Sequence, residues 1–115
     1  AFDTRALSWE ELPAMPTARG GIAAAVFEGR IHVLGGEAPS RTFDRNEAFD
    51  PNLRRWLPMA PMPTPRHGLG AAVVGDRLYA VAGGTEPGFS LSAVVEALLP
   101  QERQDLQPVG AATGD

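Results

Sequence analysis

Short apolar runs separated by glycine turns organise this chain. Ile22 to Val26 is a small-apolar run that ends at Glu28-Gly29, and Arg30 to Leu34 is a second run that stops at Gly35-Gly36. Two runs of strand length about a glycine turn predict a β-hairpin. The same order returns further on as Leu69 to Val74, then Gly75-Asp76, then Arg77 to Ala82 and Gly83-Gly84. Each double glycine leads into a polar loop of variable length, Glu37 to Arg45 and Thr85 to Ser92. Each loop leads into a further strand and turn, Glu47-Ala48-Phe49-Asp50-Pro51 and Glu96-Ala97-Leu98-Leu99-Pro100. No stretch sustains apolar residues at helical spacing, although Val94 to Leu99 alone fits either period. Arg30 to Gly35 is five positions and Arg77 to Gly83 is six, so the pattern predicts a bulge or a shifted strand end in the second copy.

The hairpins belong to a longer repeat. Trp-Glu-Glu-Leu-Pro-Ala-Met-Pro-Thr-Ala-Arg-Gly-Gly begins at Trp9, and Trp-Leu-Pro-Met-Ala-Pro-Met-Pro-Thr-Pro-Arg-His-Gly begins at Trp56, 47 positions later. Arg19 and Arg66, Gly21 and Gly68, and Arg30 and Arg77 keep that offset. A fixed period of this size marks an array of supersecondary units. The opening Ala1-Phe2-Asp3-Thr4 matches Ala48-Phe49-Asp50-Pro51, so residues 1–18 read as the third and fourth strands of a preceding unit. Residues 19–65 read as a complete unit and 66–106 as a second one. Its last strand carries Asp105 where the first has Trp56. Residues 107–115 form a Gly-, Ala- and Thr-rich tail expected to fray.

These residues resemble the kelch repeat. Arg30-Ile31-His32-Val33-Leu34-Gly35-Gly36 matches the middle of the family pattern, and Arg77 to Gly84 matches it with one insertion. Phe49-Asp50-Pro51 with Trp56, Phe2-Asp3 with Trp9, and the Met-Pro-x-x-Arg linkers at Met15 to Arg19 and Met62 to Arg66 complete the package over residues 1 to 100. The resemblance implies an all-β fold of four-stranded antiparallel blades. Propellers hold ~4–8 such blades, and this chain supplies a little over two. A partial propeller of this kind is expected to be a fragment of a longer protein, to close a ring with copies of itself, or to be capped by its divergent tail. The start at Ala1 without Met fits a processed or excised piece.

Composition narrows the chemistry. At 115 residues the chain is one domain's worth, and the net charge of −4 lacks the basic footprint of a nucleic-acid binder. No apolar run approaches the ~20 residues of a membrane span. With no Cys, disulfides, thiolate metal sites and cysteine nucleophiles are excluded. All ten basic residues are Arg, whose planar fork suits carboxylates.

In kelch adaptors of ubiquitin ligases, arginines at the place of Arg19 and Arg66 line the mouth of a central cavity. The resemblance therefore makes Arg19, Arg66 and the adjacent His67 the candidate ligand-binding residues, with an acidic peptide as the expected ligand. The plain alternative is that these arginines pack within the blades. Glu47 and Glu96 are repeat-equivalent, which favours a repeated structural task over acid–base catalysis. His32 is replaced by Tyr79 in the second copy and so reads as a packing slot. No histidine pair has metal-ligand spacing, and no metal or other cofactor is expected. Asp44-x-Asn46 begins like a calcium loop and fails at Ala48 and Phe49, and Gly68-Leu69-Gly70 lacks the third glycine of a dinucleotide fingerprint. Trp9 and Trp56 read as core anchors.

The leading expectation is a kelch-repeat interaction module that binds a protein or peptide through its blade loops. One alternative is part of a sugar-active kelch enzyme such as a mutarotase. The other is a purely structural, self-assembling blade pair. Copper radical oxidation, known in relatives, needs a cysteine that is absent.

Overall fold

Small side chains mark the two strands along which the sheets meet. In the computed structural model, which describes residues 1–100, β3 (Ala23–Phe27) and β9 (Gly70–Val74) carry Ala-Ala-Ala-Val-Phe and Gly-Ala-Ala-Val-Val. They sit side by side, and their small residues let the two sheets approach. β3 pairs with β4 (Arg30–Leu34) through the Glu28-Gly29 turn, and β9 pairs with β10 (Arg77–Val81) through Gly75-Asp76.

The first blade is a four-stranded antiparallel sheet, β3-β4-β7-β8, with β7 at Asn46–Asp50 and β8 at Arg55–Pro58. The second blade is β9-β10-β11, with β11 at Val95–Leu98. The expected last strand around Asp105 and the tail 107–115 lie outside the described residues. A preceding hairpin, β1 (Phe2–Asp3) with β2 (Ser8–Trp9), precedes the blades in the chain. Among the described residues the preceding hairpin has two strands, the first sheet four and the second three, and Val95–Leu98 resolves the ambiguous run as a strand. One element was not legible in the pattern: β5 (Glu37–Ala38) and β6 (Arg41–Thr42) pair within the first polar loop.

The repeat is kept in atomic detail. Asp3 Oδ1 accepts the backbone N–H groups of Arg5 and Ala6, and Asp50 Oδ1 accepts those of Asn52 and Leu53, 47 positions on. The left-handed residue that closes each turn is Leu7 in one and Arg54 in the other, both at φ 53°. Phe2 and Trp9 stack at 5.2 Å, Phe49 and Trp56 at 5.4 Å. The surroundings of the two tryptophans differ. Trp56 is half-buried and donates its indole N–H to Pro13 O at 2.7 Å, whereas Trp9 is 81% exposed and anchors no core.

The expected bulge does not form. Both second strands are five residues long and the 47-residue offset runs through them. Ala82 therefore stands in the place of Gly35. Its φ is 56° against 64°, and its N–H bonds Val94 O at 2.7 Å as that of Gly35 bonds Arg45 O at 2.8 Å. Gly83 replaces Gly36: a Cβ on Gly36 would press on Gly20 O and Ile22, and one on Gly83 on the equivalent His67 O and Leu69. Gly84 occupies the position of Glu37.

The core is the seam between blades. Phe27 and Leu34 of the first meet Leu69, Leu78 and Ala80 of the second, with Met62 of the linker between them. His32 lies in this seam, 1% exposed. Its Nδ1 is 2.9 Å from Asn46 Oδ1, and because Asn46 donates its amide N–H to Ala60 O, that oxygen accepts and Nδ1 carries the proton. Burial is the main cause that holds His32 below the ordinary histidine value of 6.5, partly offset by the Asn46 bond. A base depressed in the folded state binds more protons when unfolded, so its contribution to stability is lost as pH falls below 6.5. Urea midpoints measured from pH 7.5 to 5.5 are expected to fall, and the non-titrating His32→Gln is expected to flatten that slope.

Candidate functional site

Two kinds of polar residue stand out: those that obey the repeat and those that break it. The arginines obey it. Each follows a Met-Pro linker that turns the chain from the outer strand of one blade to the inner strand of the next. Arg19 donates to Gly35 O and, at 3.3 Å, to Val33 O, and lies 3.7 Å from the Glu47 carboxylate. Arg66 donates to Ala82 O at 2.8 Å, Val94 O at 3.0 Å and Glu96 Oε1 at 2.7 Å. Both side chains are 0% exposed. Glu47 in turn accepts Thr17 N–H, and Glu96 accepts the Thr64 hydroxyl. Each Arg–Glu pair thus ties the linker to the carbonyls where the second strand ends and to the third strand. Burial pulls the Arg19 guanidinium below its ordinary range, with Glu47 opposing. No edge of either guanidinium is presented to solvent.

His67 breaks the repeat. Its counterpart in the first blade is Gly20, and the partner across the local bridge is Gly84 where the first blade has Glu37. The exchange makes room for a polar cluster between the two loops. His67 Nδ1 faces Glu37 Oε1 at 3.4 Å, and Nε2 faces Glu86 O at 2.8 Å. Glu37 Oε2 accepts Gly88 N–H at 2.8 Å, and Thr42 donates to Thr85 O at 2.8 Å. Gly84 has to be glycine, since a Cβ there would lie 2.7 Å from His67 Nε2 and 2.6 Å from Ser90 O.

Ser90, His67 and Glu37 have the order of a hydrolytic triad but not its bonding. The Ser90 hydroxyl donates to Glu86 O at 2.6 Å and accepts Glu86 N–H at 3.1 Å, while His67 Nε2 is 3.5 Å away and already faces that carbonyl. The hydroxyl braces its own loop. A free lone pair on Nε2, which a general base needs, is not what this geometry provides.

The bracing holds a display. Ser90 and the Ser92 bond to Gly83 O fix a loop in which Phe89 is 99% exposed and Leu91 78% exposed. Beside it Glu37, Ala38, Pro39, Pro87 and Gly88 line a shallow groove. The first blade's loop adds exposed Arg45 and exposed Arg41, the latter stacked 4.4 Å over the Phe43 ring. The sequence reading singled out His67 and did not single out Phe89. The available signal was an aromatic set among Pro, Gly and Ser in a loop whose length departs from the repeat.

Residues 18–63 match the family described as the Kelch motif. The solved structure of YjhT, a kelch-type propeller protein, is similar in fold, with a TM-score of 0.63 and 21% identity over 69% of this chain. The chain spans 25% of the length of that structure. No curated protein matches the chain. Residues 18–63 thus carry a Kelch motif, and the tiled antiparallel blades have the fold of a partial β-propeller.

Proposed function

We propose that this chain is an interaction module that binds a protein or peptide segment across the loops between its two blades. The observation that carries the reading is Phe89, fully exposed yet held in place by hydrogen bonds on both sides, with Leu91 next to it. Aromatic side chains on rigid supports are typical energetic anchors of interfaces. Exposed Arg41 and Arg45 add forks for carboxylates, so the favoured partner places acidic residues beside an apolar one. His67 joins this site as a support of the loop. Arg19 and Arg66 support the blades beneath it, because their forks are already bonded inside.

Self-assembly through a copy of the internal seam is the weaker reading. A Cβ at Gly35 would press on Arg66 O, and Ala82 carries that Cβ on the second blade's far side. A blade added there cannot come as close.

Peptides selected on the intact chain from a display library test the proposal. Phe89→Ser is expected to weaken the selected peptides by about tenfold or more with the melting temperature unchanged. Equal binding by the variant, or enrichment of sugars rather than peptides in a parallel screen, overturns it.

A further inference from the structure

We propose that the cleft between the second Met-Pro linker and β11 is a binding site for a tryptophan side chain, presented on an extended segment of a partner protein. The cleft shares no lining residue with the groove beside Phe89, so the inference does not rest on the reading of that loop.

The same place in the first blade shows what fits. There the linker carries Pro13 and Met15, and the third strand carries Ala48 and Phe49. Trp56, on the neighbouring strand β8, bridges the two. Its ring stands 5.4 Å from that of Phe49, and its indole N–H donates to Pro13 O at 2.7 Å. The second blade builds the same walls. Ala60 and Met62 stand 47 positions after Pro13 and Met15. The register aligns β11 with β7: Leu98 pairs with Leu78 as Phe49 pairs with Ile31, and Ala97 with Tyr79 as Ala48 with His32. Ala60, Met62, Ala97 and Leu98 line one mainly apolar, half-open cleft, with Asn46 of the first blade at its side.

The ring is what differs. The sequence position aligned with Trp56 holds Asp105, and a carboxylate does not suit an apolar cleft. The walls keep both features that hold an indole. Leu98 offers an apolar surface where Phe49 offers its ring. Ala60 O offers an acceptor where Pro13 O takes the indole N–H. That carbonyl receives the Asn46 amide N–H at 3.1 Å, and a carbonyl oxygen has a second lone pair for another donor. The matching group is a flat apolar ring with one donor on its edge. Tryptophan supplies it, whereas phenylalanine has no donor and the tyrosine hydroxyl is also an acceptor. Trp56 reaches its place from a strand and stays half-buried there, so the partner's tryptophan enters from an extended segment and leaves one edge in water.

The first blade also supplies the probe, a synthetic peptide with the sequence of residues 54–59, Arg-Arg-Trp-Leu-Pro-Met. Titrated into the isotope-labelled full chain, it is expected to give saturable amide shifts at Ala97 and Leu98. The same peptide with alanine for its tryptophan is expected to bind about tenfold more weakly or worse. Leu98→Phe restores the aromatic wall and is expected to tighten the tryptophan peptide about two- to tenfold while leaving the alanine peptide unmoved. Phe89→Ser is expected to leave both affinities as they are, so a failure here and a failure of the loop surface are told apart. No saturable shift at the cleft, equal binding of the alanine peptide, or an affinity that Leu98→Phe does not raise overturns the proposal.

Discussion

Arg66→Met is expected to unfold the second blade. The side chain is fully buried and holds three strand-end carbonyls and Glu96 together. Methionine fills much of the volume but donates nothing, which leaves the mostly buried Glu96 carboxylate without its cation and takes the guanidinium from the carbonyls of Ala80, Ala82 and Val94, of which Val94 O keeps only the Ala82 N–H. Breaking one side of a buried ion pair costs ~3–5 kcal/mol. A chain this small has a total stability of only ~5–15 kcal/mol. Urea denaturation followed by near-ultraviolet circular dichroism should show loss of the cooperative transition or a midpoint shifted far toward zero. The double variant Arg66→Met, Glu96→Leu, which removes both charges, should recover much of the loss. Arg19→Met is expected to cost less, because its ion pair is longer, at 3.7 Å, and its Nε already lacks a partner.

Gly35→Ala is the second severe change. At φ 64° an added Cβ costs ~1–2 kcal/mol by itself. Here it also presses on Arg66 O across the seam and comes within 3.0 Å of Leu69 and 3.1 Å of Met62. The seam would have to open, breaking the Gly36 N–H bond to Arg66 O at 2.9 Å and parting the core cluster. Ala82→Gly makes the opposite change at the equivalent backbone position and should raise the melting temperature. The contrast between the two separates the steric cost at the seam from the conformational cost shared by both sites.

Much of this fold is visible in the residues themselves. The 47-residue offset announces the blades because each unit has to solve the same packing problem, so Trp, Met-Pro, Arg and the turn glycines recur. The same logic misplaces the double glycine. Gly83-Gly84 looks like Gly35-Gly36, but the backbone places Ala82 in the first left-handed position, at φ 56°, where an L side chain costs ~1–2 kcal/mol. Letters matched, and φ did not follow them.

The arginines show a different limit. Their recurrence is plain in the sequence, and their partners are not, because Glu47 and Glu96 approach only after two intervening strands have paired. Equal positions in successive units argue for a shared structural task. That rule, applied to Glu47 and Glu96, applies equally to Arg19 and Arg66. The departures from the repeat, His67 for Gly20 and Gly84 for Glu37, were equally present in the sequence, but their meaning depends on the two loops coming together across the seam. Exposure of Phe89 has no sequence signature beyond its setting among turn residues.

Hydrogen-bond scalar couplings across the second blade test the 47-residue register on which this account stands. Couplings from Ala82 N–H to Val94 O and from Gly84 N–H to His67 O are expected, mirroring Gly35 to Arg45 and Glu37 to Gly20. Couplings that instead place Gly83 on Val94, with an unpaired residue between Arg77 and Gly83, would contradict it.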